Sequence, residues 1–436
     1  MNNRQHLMAA VAVVALCAAP AVLMGQDRAQ DKAVVKLGVV SFMTGALAGP
    51  VGSALRNGIE LTVDAIRAGS LPAPYAGKGF GGLDAEILLV DENGGATKQA
   101  TEFTALVQQR GVDAVIGYNS AGTCLAIAPL AERLQVVTVF ASCGANMVEE
   151  GKSKYVFHTT PNLHADGVTA ARYLLKRKPG IKSIAGLNQN FAYGQDSWRD
   201  FSLSMAALAP ASKAVAEQFP SLGNNQYGTD ISRLLSLAPD ATHSSLNGTD
   251  LESFLTQLTA RDLHTKTQLV LPAAEGVIYA LGDKVPDGTL IGARGSYGIF
   301  AKDTALSRWF RKAYAERYKT TPNYLAYQGA QGVLGLKIAY DKAQKQPGRK
   351  PAADLVVAAF EGLHYEAFGT QVKLSRGRGH QAIVDHAMGV YRFDRASGLP
   401  TVSDVVSFPA ECVNPPEGVN ATEWIKSGFP GSHCPN

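Results

Sequence analysis

The sequence predicts an α/β protein of two lobes, each built around a doubly wound parallel sheet. Three observations point there. Short apolar, β-branched runs alternate with helix-patterned segments, the signature of parallel strands flanked by helices. The alternation runs through once and restarts near Thr159. The chain, at 436 residues, is also too long for one hydrophobic core.

The first segment stands apart. Met1 to His6 carry one cation, Arg4, and Leu7 to Met24 run almost without charge. Small residues (Ala18, Ala19, Ala21, Gly25) stand where a signal peptidase would cut, so 1–25 reads as a cleaved export signal. The alternative is an N-terminal membrane anchor; the run is short for a bilayer span and Pro20 breaks it. Cys17 follows Leu16, where lipid attachment sites usually need a small residue. No later stretch is apolar enough to span a membrane, so the mature part is expected to be soluble.

After a polar linker, Gln26 to Lys32, "VVKLGVVSF" reads as a strand buried on both faces. "RNGIELTVDAI" spaces Ile59, Val63 and Ile66 at helical intervals. "AEILLVDEN" is a second strand, "ATKQATEFTALVQQRG" a helix closed by Gly111, "VDAVIG" a third strand, "TCLAIAPLAERLQ" a helix and "VVTVFA" a fourth strand. In the second series, "IKSIAGLNQ", "KAVAEQFP", "ATHSSLN" and "TQLVLPA" are strands separated by helical segments. A third block, from about Arg294, holds "TALSRWFRKAYAERYK", "AYQGAQGVLGLKIAYDKAQ" and "AADLVVAAFEGL", helices expected to return and cover the first lobe. "MGVYRFD" and "DVVSFPA" close the pattern with strand alternation. The expected division is 33–158 with 295–370 for the first lobe, 159–294 with 371–405 for the second, and a tail at 406–436.

A net charge of +4 without a long Lys/Arg run argues against nucleic acid as a partner. Four cysteines remain beyond the leader: Cys124, Cys143, Cys412 and Cys434. An even count in an oxidising compartment suggests disulfides, with three pairings possible. Cys412 with Cys434 would staple a Pro/Gly/Asn-rich tail. Cys124 and Cys143 are either bonded to each other or buried thiols. No cysteine spacing suggests a metal site, and neither do His158, His164, His243, His264, His380 and His386.

In open parallel sheets ligands lie beyond the carboxyl ends of the strands, at loops feeding helix N-termini. Here those loops are "FMTGALAG", with Thr44, then "YNSAGT" and "ASCGAN", rich in hydroxyls and backbone N–H groups suited to a carboxylate. Each loop alone could simply cap a helix; three converging by topology make a candidate site. Asn247 in "LNGTD" is a further candidate or a turn former.

"KLGVVSFMTGALAGPVGSALRNGIELTVDAI", "VDENGGATKQATEFTALVQQRGVDAVIGYNSAG", "APLAERLQVVTVFASCGAN", "YVFHTTPNLHADG", "NQNFAYGQDSWRDF", "SLNGTDLESFLTQL" and "RGRGHQAIVDHAMGVYRF" together resemble periplasmic solute-binding proteins of the branched-chain amino acid (Leu/Ile/Val) ABC transporter type. The resemblance covers nearly all of the mature chain. It implies the type I periplasmic-binding fold: two Rossmann-like lobes, a hinge of three crossover strands, and a ligand in the cleft between them. On its pattern, Asn119, Ser120, Ala121 and Gly122 form the loop after the third strand. Ser142, Cys143 and Gly144 form the loop that grips a carboxylate, and Gly144 lacks the hydroxyl common there. Tyr193 matches an aromatic facing the cleft, and Glu275 matches the glutamate that pairs with an amine. Leu163, with His164 beside it, replaces an acidic residue, which puts an α-amine contact in doubt.

No G-x-S-x-G elbow, Walker A pattern, HExxH, or GxGxxG directly after the first strand is present. The expectation is therefore a non-enzymatic, monomeric periplasmic receptor. It would need no cofactor, capture a small amino acid or related carboxylate or amide, and deliver it to a membrane permease and ATPase complex. A ligand-sensing protein signalling to a membrane partner is the alternative.

Overall fold

The computed structural model describes residues 33–146, 151, 153–377 and 380–434; the segment 1–25, expected to be an export signal, lies outside them. The first βα series supplies β1 (Val34–Ser41), β2 (Asp84–Asp91), β3 (Ala114–Gly117), β4 (Val137–Phe140) and β5 (Val156–His158). The second supplies β6 (Ser183–Leu187), β7 (Lys213–Gln218), β8 (Ala241–His243), β9 (Gln268–Leu271) and β10 (Leu290–Gly292). Then come β11 (His364–Ala367), β12 (Thr370–Arg376), β13 (Gln381–Ile383), β14 (His386–Asp394) and β15 (Leu399–Phe408).

These strands sort into two sheets. One has eight strands in the order β11-β12-β13-β5-β4-β3-β1-β2; the other has seven, β15-β14-β10-β9-β8-β6-β7. Neighbours among β1 to β5 and among β6 to β10 pair in parallel. Every residue of β3 and β4 is buried, which is why their sequences read as unbroken apolar runs. The late strands add antiparallel edges: β11-β12-β13 on the first sheet and β14-β15 on the second. The chain passes between sheets three times: after β5, after β10, and between β13 and β14.

The lobe boundary expected at 371 needs correction. β12 and β13 belong to the first sheet, β13 through a parallel pairing of Gln381 with His158, so the chain crosses back only after Ile383. The cause is local: Glu366 to Gly369 make a tight turn, and β12 folds back on β11 at once. The tail also begins later than 406, because β15 runs to Phe408.

The helices Ala305–Tyr318, Tyr324–Ala343 and Ala353–Phe360 return to the first lobe. Tyr324–Ala343 lies against Ala54–Ala68 at very close range. A Cβ on Gly58 would sit 2.1 Å from the Ala326 carbonyl oxygen, so only glycine permits this approach. Asn323 caps the long helix, its Oδ1 accepting from the N–H groups of Leu325 and Ala326.

The tail packs on the second lobe. Its short helices, Ala410–Val413 and Ala421–Lys426, lie on Leu163–Arg177 and Ala192–Leu208, with Trp424 fully buried. The Arg172 guanidinium stands 4.7 Å from the Phe429 ring centre. Both candidate disulfides are present, Cys124–Cys143 and Cys412–Cys434.

Candidate functional site

Where the carboxyl ends of both sheets meet the crossings, a cavity of about 230 Å³ opens. The first lobe contributes Asn119, Ser120 and Gly122 from the loop after β3 and Ser142 from the loop after β4. The second contributes Phe191, Tyr193 and Asn247. Arg294, just beyond β10 on the second crossing, forms part of the wall, and Phe42, Leu47, Val51 and Tyr324 make much of the rest apolar.

The β3 loop does not present its N–H groups to this space as expected. Glu92, from the end of β2, is buried beneath the loop and accepts from the backbone N–H of Asn119 at 2.9 Å and of Ser120 at 2.7 Å. It also accepts from Asn119 Nδ2 at 3.2 Å. Burial raises its carboxyl to about 7, against the opposing pull of those donors. The chain thus brings its own carboxylate to the loop. Ser120 caps helix Ala121–Leu134, its Oγ accepting from Thr123 N at 3.4 Å.

The β4 loop is also engaged. Ser142 Oγ donates to Gln328 Oε1 at 2.9 Å, and Gln328 Nε2 donates to the Arg294 carbonyl at 3.3 Å. Arg294 Nη1 closes the ring by donating to the Ser142 carbonyl at 3.2 Å. Arg294 Nε donates to Asp166 Oδ2 at 2.9 Å, and its guanidinium lies 5.3 Å from the Tyr193 ring centre. Burial works against the arginine's charge, but Asp166 and the nearby tyrosines override it. Burial pushes the Tyr193 phenol up to about 12, against the opposing pull of Arg294.

Five expected site residues lie elsewhere. Thr44 donates its hydroxyl to Asp91 Oδ2 at 2.5 Å in an exposed contact. Ala121 is packed with Leu163 and Tyr193 in a small apolar cluster. Cys143 is bonded to Cys124 inside the first lobe. Gly144 lies against Arg294: a Cβ there would be 3.0 Å from Nη2 and 3.2 Å from Tyr193 Cδ2. The hydroxyl missing at this position has its place taken by the guanidinium.

Glu275 is the largest correction. Its fully buried carboxylate accepts from Tyr324 N at 2.6 Å and Ile299 N at 3.1 Å, latching the turn after β9 to the long helix. Burial pushes it up to about 8. It is a structural acceptor away from the cavity wall. His164 is likewise buried, with Nε2 3.2 Å from Arg376 Nη1.

A family model described as periplasmic binding protein matches residues 34–398. The chain belongs to that family. Solved structures of the same fold include a solute-binding protein of an ABC transporter from Rhodopseudomonas palustris BisB5 in complex with 3,4-dihydroxybenzoic acid. It is 21% identical, with a TM-score of 0.75, over 86% of this chain and 98% of that one. A second, from R. palustris in complex with benzoate, has a TM-score of 0.74 at 21% identity, over 86% and 96%. A leucine binding protein from Thermotoga maritima has a TM-score of 0.69 at 20% identity, over 86% and 99%. No curated protein matches the chain.

In this periplasmic binding protein, Arg294 is the functional candidate that the loop patterns did not single out. One signal was available: Arg294 directly follows a strand, the topological position that made Thr44 and Ser142 candidates. β10 is only three residues long, too short to announce itself by periodicity.

Proposed function

We propose that this protein is the solute receptor of an ABC importer. It would be exported to the periplasm with removal of its leader, act as a monomer, and bind without catalysing turnover. Its cargo would be a small organic solute in the amino acid, carboxylate or amide range. It would pass that solute to a membrane permease and ATPase complex.

The observation that carries this reading is the shared cavity: both lobes and the second crossing contribute walls to one space at the carboxyl ends of two parallel sheets. Asn119, Ser120, Gly122 and Ser142 would receive the solute on the first lobe, and Tyr193 and Asn247 would close over it from the second. Closure about the crossings is the motion such two-lobed proteins use. The related folds in complex with benzoate and 3,4-dihydroxybenzoic acid, and the one named a leucine binding protein, support a solute of that size.

The test is a calorimetric and thermal-shift panel on the exported, processed protein, spanning amino acids, amides, aromatic and aliphatic acids, and sugars. At least one class is expected to raise the melting temperature; ligand at about 100 times Kd stabilises by about 2.7 kcal/mol. A panel without any heat or shift, or turnover of a bound compound, would sink the receptor reading.

A further inference from the structure

We infer that the solute is an aromatic monocarboxylate without a neighbouring ammonium group, held by Arg294. This rests on the receptor reading above and narrows it. In the two loops expected to receive a carboxylate, several donors are already engaged. Glu92 takes the N–H groups of Asn119 and Ser120, and the Ser142 hydroxyl donates to Gln328. Three of the donors expected to meet a ligand carboxylate are thus taken, and Arg294 supplies a charged one in their place.

Its placement is pre-set. Nε is fixed by Asp166, Nη1 by the Ser142 carbonyl, and the backbone carbonyl by Gln328. Among the described residues, Nη2 has no hydrogen-bond partner. It lies against Gly144, in the loop where the resemblance places carboxylate capture. A guanidinium held in this way loses little freedom on binding, and charge-assisted bonds to a carboxylate are among the strongest available to it. The N-terminal end of helix Ala121–Leu134 also borders the cavity through Gly122, adding a favourable dipole for an anion.

The other half of a zwitterion finds no counterpart. Among the described residues the cavity wall holds no carboxylate. Glu275, the residue matched to amine pairing, is latched to Tyr324 and Ile299, and Leu163 stands where an acid would complete an amine site. An ammonium enclosed here would be desolvated without a counter-charge. Four aromatic side chains, Phe42, Phe191, Tyr193 and Tyr324, line the cavity instead, apolar surroundings that suit an aromatic ring.

The test uses the exported, processed protein and isothermal titration with benzoate, benzamide, phenylalanine and hexanoate. Benzoate is expected to bind at least about tenfold more tightly than each of the others, since amide, ammonium and flexible chain each remove one matched feature. Arg294→Lys is expected to weaken benzoate by about tenfold or more, because lysine lacks the planar fork. If that variant does not fold, the benzoate and benzamide pair on the unaltered protein decides alone. Benzamide or phenylalanine equal to benzoate would overturn the assignment while leaving a receptor. Hexanoate equal to benzoate would overturn its aromatic half. Failure of every compound in the wider panel would remove the receptor reading itself.

Discussion

Arg294 Nε and Asp166 Oδ2 meet at 2.9 Å, with both side chains almost wholly buried, and the pair joins two separate passages of the chain. Asp166 lies on the first turns of helix Leu163–Arg177, just after the first crossing, whereas Arg294 lies on the second. His386 Nε2, at the third, stands 3.2 Å from Asp166 Oδ1. One carboxylate, itself just after the first crossing, therefore meets side chains from the other two. The ligand contact inferred for Arg294 would act directly on that junction.

Asp166→Asn should be strongly destabilising. It leaves a buried guanidinium without its counter-charge, and breaking a buried pair from one side costs about 3–5 kcal/mol. Urea unfolding followed by circular dichroism would measure this. A loss below about 1 kcal/mol would mean that water or another group compensates the arginine.

Gly144→Ser restores the hydroxyl expected at that position, yet it should weaken benzoate binding. The new Cβ would press on Arg294 Nη2 at 3.0 Å and on Tyr193 at 3.2 Å, shifting the guanidinium from its ring of partners. A loss of about tenfold in affinity is expected from a displaced charge-assisted contact, together with a lower unfolding midpoint as the guanidinium is pressed from its buried partners. Calorimetry on the variant would check it, and unchanged or tighter binding would contradict this placement of the arginine.

Glu275→Gln should flatten the dependence of stability on pH. The carboxyl titrates near 4.5 when unfolded and at about 8 when folded. Between those values the folded chain holds more protons than the unfolded one, so stability falls as pH rises through that window. Glu92, raised to about 7, acts in the same direction. Buried His158 and His243, both pushed down to about 3, act oppositely below about 6.5, but they are common to variant and parent and cancel in the comparison. Denaturation midpoints at about pH 5.5 and about pH 8.5 should therefore differ less for the variant. Equal slopes would show that Glu275 ionises normally in the fold.

Removing the Cys412–Cys434 bridge should loosen the tail and lower stability. The bridge spans a sequence separation of 22 residues, and closing a loop of that size is worth about 3 kcal/mol on chain-entropy grounds. Cys412→Ser with Cys434→Ser should cost a comparable amount in denaturant and admit protease cleavage near Pro415 and Gly418. A doubly substituted tail as resistant as the parent would show that the buried Trp424 holds it unaided.

The fold was legible because its strands follow general rules. β1, β3 and β4 lie buried between helix layers and read as near-continuous apolar runs, while β2, at the sheet edge, is only partly covered; the restart near Thr159 marked the second sheet. The pieces that escaped are short. β5, β10 and β13 have three residues each, and β11 to β13 join the first sheet through pairings far away in sequence. At the site, Asn119, Ser120, Ser142, Tyr193 and Asn247 reach the cavity wall because loops at strand ends converge by topology alone. Glu275 misled because its strand-end position is the same whether its carboxylate faces a ligand or two backbone N–H groups. That choice is made by the turn at Gly298, where a Cβ would lie 1.8 Å from Glu275 Oε1.

The threefold passage between sheets also governs how the gene can be divided. A fragment ending at Arg294 would carry a complete parallel core for the second sheet but would strip the first of β11 to β13 and of its longest helix. A fragment starting there would strand β14 and β15 without β10 to pair with. Neither lobe exists as a continuous stretch of codons, so half-length expression products should be insoluble, and genetic fusions belong at the exposed turn Arg395–Gly398 between β14 and β15 rather than at the apparent midpoint.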